Sequence, residues 1–499
     1  MRTSRKTFLT VVGFGAFTLA SRSAVEGAAF AMEKKTAPLR NYPELWQRLT
    51  EEADRRAQFF GAGSELRITP AQGVYAPDLA RNTVDTTQNR ELKIGPDGIL
   101  TFALDVPAPM YVTGEMVLDP DSDLRPGLRA TVLSDATLIA APMLSADLWG
   151  SDKVTDAAPK VIGWKPGASV VLNTYLLPAG RHYLSVAGPH FRSGGQFRSI
   201  TLRPVSRPVE EPIFTFAFIS DTHVRYEGRP EWMNIKMGEA SAPMFVKTLH
   251  SLAAEGVDFL MHGGDMTEGA TREEFDLMAK LLRDQPLPAY GCIGNHDAYH
   301  PTSRPDALEL LAKHFPGGSL DYTLDRSPVR FVVLDENIAK PEMREAKQEW
   351  LRKTLASDTR TPTVVVWHYA PFNRGGMSNC GFRLKDWSKA GKESVLDIVQ
   401  SAPHVFATLN GHDHWDEVNI QKGITHIQNA AFVEWPNSYR VIRVHRDRLE
   451  WEVRQVANRG FIRESFAVPK ALSWMIATRE QDLTGTARFS ALPEKTRRS

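Results

Sequence analysis

Five short blocks between positions 221 and 414 carry groups suited to holding metal ions or moving protons. The blocks are Asp221-Thr222-His223, Asp265 after Gly263-Gly264, Asn295-His296-Asp297 after Gly294, His368 alone, and His412-Asp413-His414 after Gly411. Together they offer carboxylates, imidazoles and an amide. No thiolate is among them, which argues against a structural cysteine-type zinc site. Nitrogen and oxygen ligands of this kind suit zinc, iron, manganese or a mixture. In extended chain, residues i and i+2 point the same way. That places Asp221 and His223 over one ion, and His412 and His414 likewise. Glycines at 263, 264, 294 and 411 would let backbone come close to the ions or take φ > 0. Cys292 and Cys380 form no CxxC pair, and Cys292, in an apolar stretch, reads as a small buried core residue.

The elements that must position these blocks are legible as apolar runs. Runs at 214–220, 257–261, 287–293, 363–367 and 405–409 each end at, or shortly before, one block. Continuous apolar runs of this length predict strands buried on both faces. In open sheets ligands gather at the carboxyl ends of strands, so five distant groups could share one rim. Helical segments alternate with the runs. Ser241 and Pro243 open one, Phe245, Leu249 and Leu252 line it, and Gly256 closes it. Thr271-x-x-Glu274 is a capping-box signature for another. Residues 439–456 predict a hairpin turning near His445-Arg446-Asp447. The result is an α/β domain.

With these blocks in order, residues 212–430 resemble the calcineurin-like metallophosphoesterase superfamily. Its pattern is D-x-H, G-D, G-N-H-D/E, H and G-H-x-H, and Gln348-Glu349-Trp350-Leu351 resembles a helix of many members. The resemblance implies two mixed β-sheets flanked by helices and two divalent or trivalent metal ions, Fe, Mn or Zn. It implies that Asp221, His223 and His414 hold the first ion, and Asn295, His368 and His412 the second. Asp265 would bridge them, and His296 would stand beside the leaving group, with Asp297 orienting it or capping a turn. Glu268 stands where the purple acid phosphatase branch has a metal-binding tyrosine, so the pattern is closer to bacterial cyclic-nucleotide phosphodiesterases. Two ions about 3.5–4 Å apart hold a hydroxide at neutral pH and neutralise phosphoryl oxygens. The expected reaction is hydrolysis of a small-molecule phosphate ester, with phosphodiesters favoured. A broad phosphomonoesterase and a nucleotide pyrophosphatase are the alternatives.

The rest of the chain frames that domain. A net charge of +1 over 499 residues gives no bulk attraction to nucleic acid. Arg2, Arg5 and Lys6 precede an apolar stretch at 8–20, and Ala29-Phe30-Ala31 is a cleavage candidate. Residues 1–31 therefore read as an export signal and place the protein in the periplasm or outside the cell. Residues 4–9 resemble a twin-arginine signal with Lys6 in place of the second arginine, and a Sec-type signal or an uncleaved anchor are the alternatives. No later stretch is long and apolar enough for a membrane helix. Residues 32–64 form a helical segment, with Leu45, Trp46, Leu49 and Ala53 on one side. Residues 65–207 alternate short β-rich runs with turns and predict an all-β sandwich-like domain. Pro204 and Pro208 mark a linker, 211–458 is the phosphoesterase domain, and 459–499 a C-terminal extension.

Other residues have weaker claims. Trp149, Trp164, Tyr175, Tyr183 and Phe191 could stack sugars in a glycan-binding face, or pack a core. A glycan-binding or envelope protein on an inactive scaffold is the non-enzyme alternative, against which the intact ligand set argues. Arg225, Tyr226, Trp232, Arg374 and Trp415 lie in loops beside the blocks, and Asp416 and Glu268 are candidate partners of ligand imidazoles. His262 reads as core or outer shell, and His300 and His426 are within possible reach of the pocket. His250 and His314 read as helix residues, and His182, His190, His404 and His445 as surface or turn residues.

Overall fold

The computed structural model describes residues 42–77, 84–87, 92, 94, 99–119, 129–134, 138–139, 169–187, 196–225, 238–283, 285–336, 341–372, 394–434, 437–456 and 480–489. The export signal, Cys380, Trp149, Trp164, Phe191, His190, Tyr226, Trp232 and Arg374 lie outside the described residues.

Two mixed sheets face each other in the second half of the chain. One has six strands in the order Tyr322–Arg326, Val329–Val333, Thr363–Val366, Val405–Asn410, Ile424–Gln428 and Glu417–Gln421. In the other, Phe214–Ile219 runs parallel to Phe259–His262 and antiparallel to Ser438–Val444, and Ala289–Gly291 extends it in parallel beyond Phe259–His262. Strands Phe259–His262, Thr363–Val366 and Val405–Asn410 are buried along their whole length, which is why they read as largely apolar or β-branched runs such as Thr-Val-Val-Val at Thr363–Val366. Three phenylalanines lock the sheets together. Phe216 stacks on Phe259 at 5.2 Å, and Phe331 of the opposite sheet meets Phe216 edge-on at 5.3 Å.

Helix Arg272–Arg283 starts where its capping box requires. Glu274 Oε2 accepts the N–H groups of Gly269 and Thr271, and Thr271 Oγ1 accepts that of Glu274. Phe275, Met278 and Leu282 form its buried stripe, as their spacing predicts. Pro243 falls inside helix Gly238–Ala254, which begins earlier than Ser241. Among the described residues no helix is long and apolar enough to cross a membrane.

The first half is β-rich. Leu66–Ile68, Phe197–Pro204, Met110–Leu118 and Ser169–Leu177 form one antiparallel sheet. Leu100, Phe102 and Leu104 of strand Ile99–Val106 pack with Met116, Ile200 and Leu202 of that sheet in one core. The second layer of this sandwich is not separate from the phosphoesterase half. Strand Leu138–Ile139 pairs antiparallel with Arg448–Gln455, so the two halves share a twelve-stranded sheet. Tyr111 donates its hydroxyl to Glu450 Oε1 at 2.6 Å, and Arg207 of the linker binds the same carboxylate while lying 4.2 Å over the Tyr111 ring. The boundary at 207–211 thus separates two textures of sequence but not two sheets.

Two described segments flanking these halves also enter this framework. Gln58–Phe59, within the segment read as helical, pairs with Ile99–Val106. Thr484–Arg488, within the extension, adds a strand beside Arg448–Gln455. Tyr175 and Tyr183 are buried, so neither offers a face to a sugar.

Candidate metal centre

The five blocks meet at the carboxyl ends of the strands. Ligand atoms of Asp221, His223, Asp265 and His414 all lie within 4.8 Å of one another, and those of Asp265, His368 and His412 do the same. Asp265 belongs to both groups through a single oxygen. Its Oδ2 is 3.7 Å from His223 Nε2 and 3.3 Å from His368 Nε2, while Oδ1 accepts the N–H of His296 at 2.8 Å. Asn295 Oδ1 completes the second group, 3.2 Å from His368 Nε2 and 2.9 Å from His412 Nδ1.

The backbone that achieves this is not extended. Asp221, His223, Asp265, His412 and His414 have φ of 56°, 43°, 52°, 76° and 65°, all in the left-handed region. That corrects the expectation from i, i+2 alternation. Asp221 and His223 do face one centre, but through two left-handed residues. His412 and His414 face different groups, 412 toward Asn295 and His368, 414 toward Asp221 and His223. Each such conformation costs on the order of 1 kcal/mol or more for a residue with a Cβ, a cost that surrounding contacts must offset. The contacts are present. Asp221 N donates to the Gly264 carbonyl and His223 N to that of Asp265, both at 3.0 Å. Gly294 and Gly411 supply the close approach, since a Cβ on either would run into Asp265 Oδ1 or Ser220 Oγ.

Hydrogen bonds fix which ring atoms face inward. His368 Nδ1 lies 2.8 Å from the Gly263 carbonyl, which can only accept, so Nδ1 carries the hydrogen and Nε2 presents a lone pair. His223 Nδ1 lies 2.7 Å from Glu268 Oε2, and His414 Nδ1 contacts Glu434 Oε1. Their Nε2 atoms then face each other as lone pairs at 3.4 Å. Two such lone pairs repel unless a cation stands between them. Ligands about 2.0–2.2 Å from an ion stand about 3–3.5 Å apart, and the spacings of both groups fall near that range. The donor set therefore fits metal ions of the zinc, iron or manganese type. Asp221 and Asp265 are both fully buried; burial opposes their ionisation, but the facing imidazoles His414 and His368 respectively, when they carry a second proton in place of a bound cation, hold both well below the usual carboxylate range.

His296 stands beside the first group, its ring 4.6 Å from that of His223. Its Nδ1 is 2.8 Å from the Glu268 carbonyl. Asp297 does not touch that imidazole. Its Oδ2 accepts the N–H groups of Met266 and Gly294, and its Oδ1 accepts the N–H and hydroxyl of Thr267. It ties the loop after Asp265 to the loop carrying Asn295, which is the turn-capping role of the two expected of it and not the orienting of His296. Burial, then the nearby Asp265 carboxylate, push the Asp297 pKa up to about 7.

Glu268 is the imidazole partner that the sequence suggested, and Asp416 is not. Asp416 binds Arg440, Ser438 and the N–H of Ala430. Trp415 is buried in the core, as is His426, whose pKa burial lowers to about 4. His300 is exposed. His182 and His445 are buried rather than on the surface. Sequence reading missed Glu434, twenty positions beyond His414, because it sits in no motif. It missed Ser220 as well, which donates to Asp221 Oδ2 at 2.5 Å; its place directly before the D-x-H block was the available signal.

The blocks of this site fall within one matched family domain. The calcineurin-like phosphoesterase family matches residues 214–416. The "Probable glycerophosphodiester phosphodiesterase GpdQ" of Arcobacter nitrofigilis is 24% identical over 200 residues, 39% of this chain and 70% of that protein. The "Probable cyclic nucleotide phosphodiesterase syc0937_d" of a Synechococcus strain is 24% identical over 181 residues, 36% of this chain and 66% of that protein. Among solved structures, a dimetal phosphatase from Danio rerio aligns over 50% of this chain and 98% of its own, with 18% identity and a TM-score of 0.41. This chain is a hydrolase that carries a calcineurin-like phosphoesterase domain.

Proposed function

We propose that the protein hydrolyses a phosphodiester at a centre of two metal ions. The observation that carries this reading is the single oxygen of Asp265, Oδ2, set between His223 and His368. One ion would be held by Asp221, His223 and His414, the other by Asn295, His368 and His412, with Asp265 common to both. Bound there, the ions supply an activated water and neutralise charge on the phosphoryl oxygens. Asn295 adds no charge to the second group, which keeps that side open to an anionic ester. As an imidazolium, with Nδ1–H on the Glu268 carbonyl, His296 would donate its Nε2 proton to the departing oxygen, a role typically worth about 10²–10⁴-fold. The Glu268 carbonyl orients the ring for that transfer. The diesterase names of two relatives support a diester over a monoester. The basic start at Arg2, Arg5 and Lys6 supports export; finding the protein only in the cytoplasm on cell fractionation would sink that part.

The test is paired. Metal content per chain is measured, and hydrolysis of bis-p-nitrophenyl phosphate is compared with that of p-nitrophenyl phosphate under added Mn, Zn or Fe. Two metals per chain with faster diester turnover are expected. Monoester preference would replace the diesterase with a phosphomonoesterase, and a chain that takes up no metal would overturn the whole reading. His296→Ala should lower kcat while leaving metal content nearly intact, and loss of metal there would make it a ligand instead.

A further inference from the structure

Among the described residues large apolar side chains are rarely exposed, and one that is stands beside the metal centre. Tyr299 is 52% exposed, and its ring lies 4.9 Å from that of His296 at 58°. Its backbone is not a loose tip. Asp297 N and Ala298 N donate to the carbonyls of Gly294 and Asn295, His300 N donates to Ser303 Oγ, and that hydroxyl donates to the Ala270 carbonyl. The turn is thus pinned immediately before and after Tyr299, and helix Ser303–Leu310 follows it. A half-exposed ring on a rigid turn is a preorganised surface, which loses little freedom when a second ring lies on it.

We propose that Tyr299 is a specificity residue that stacks a planar leaving group, so that the enzyme favours phosphate esters whose departing alcohol carries an aryl or heteroaryl ring. This rests on the phosphoesterase reading, because His296 places the departing oxygen. Of the two rings against His296, that of His223 is buried among the ligands, and that of Tyr299 is the one open to a leaving group. Offset or edge contact between two rings is worth enough to move kcat/KM by roughly threefold to tenfold. An alkyl leaving group makes no such contact.

The test compares bis-p-nitrophenyl phosphate with bis-trifluoroethyl phosphate on the metal-loaded wild type, Tyr299→Ala and Tyr299→Phe. The ratio of variant to wild type for each ester cancels intrinsic reactivity. Tyr299→Ala should lose more on the aryl ester than on the alkyl ester by roughly threefold to tenfold, chiefly in KM, and Tyr299→Phe should restore the difference. Equal losses on both esters would make the ring a mere support for His296 and overturn the proposal, as would no loss on either. If wild type cleaves neither ester, the diester reading fails on its own. Tyr299 is then judged by titrating phenylphosphonate and methylphosphonate into the metal-loaded chains. Tyr299→Ala should weaken phenylphosphonate selectively, and equal affinities in both chains would overturn the proposal.

Discussion

Glu268 Oε2 lies 2.7 Å from Nδ1 of His223, and the carbonyl of the same glutamate lies 2.8 Å from Nδ1 of His296. One residue therefore sets the tautomer of a candidate ligand with its side chain and aims the candidate acid with its backbone. The first task depends on the carboxylate, whose Oε2 also lies 3.7 Å from Nδ1 of His296. Glu268→Gln should weaken metal binding roughly 10- to 100-fold, the usual effect of losing a carboxylate behind a ligand imidazole. Chelator competition on the purified chain measures it. Glu434→Gln, behind His414, should do the same, since both imidazoles face the group containing Asp221. Unchanged metal affinity in both variants would show that neither carboxylate tunes a ligand.

Asp265 supports a sharper prediction, because its Oδ2 faces both groups. Asp265→Ala should empty or severely weaken both metal positions together, whereas Asn295→Ala should weaken only one. Metal stoichiometry after dialysis distinguishes them. An Asp265→Ala chain that keeps two ions and full activity would remove the bridge from the scheme.

How much of this was legible in the sequence follows from which forces are local. The ligands were found because a buried strand must be apolar, so a charged or imidazole group at its end stands out. Their division between two groups was not available from alternation. His412 and His414 diverge because both adopt left-handed φ, a choice imposed by packing around Gly411 and Ser220. The shared sheet was equally hidden. Leu138–Ile139 contributes two residues to Arg448–Gln455, too few to leave a period in the sequence. Glu434 is invisible for the same reason, since a single acid far from His414 carries no pattern. Asp297 stayed open between orienting His296 and capping a turn because adjacency to His296 says nothing about where a carboxylate points, and four donors on neighbouring loops claim it.

Those four donors make Asp297 a test of loop-to-loop coupling. Asp297→Asn puts an amide N–H where one carboxylate oxygen accepted two donors, leaving buried donors facing a donor. Two such lost partners cost on the order of 2 kcal/mol, which should lower Tm by about 4–8 °C. Because Gly294, Met266 and Thr267 flank Asn295 and Asp265, the loss should extend to metal affinity. A variant with wild-type Tm and metal content would mean that the two loops hold their places without it.

His262 offers a pH dependence with a defined sign. Gly264 donates its N–H to His262 Nδ1 at 3.1 Å, so Nε2 carries the hydrogen and points it at Thr222 Oγ1, 3.1 Å away. The Thr222 hydroxyl in turn donates to the Met266 carbonyl. This chain joins the turn at 221–223 to the turn at 264–266 and needs a neutral imidazole, because a second N–H would face that of Gly264. Burial lowers the His262 pKa to about 3, against about 6.5 for an unperturbed histidine. A lowered pKa means that the unfolded chain binds the extra proton first. The contribution is complete above about pH 6.5 and is lost as pH falls toward 3, with a slope of up to one proton. His262→Gln should be less stable near neutral pH, where the chain is intact, but should lose less stability on going from about pH 6.5 to 4.5. Urea unfolding of metal-free wild type and variant across that window reads the difference. Parallel pH profiles would show that His262 does not carry the acid sensitivity of these two turns.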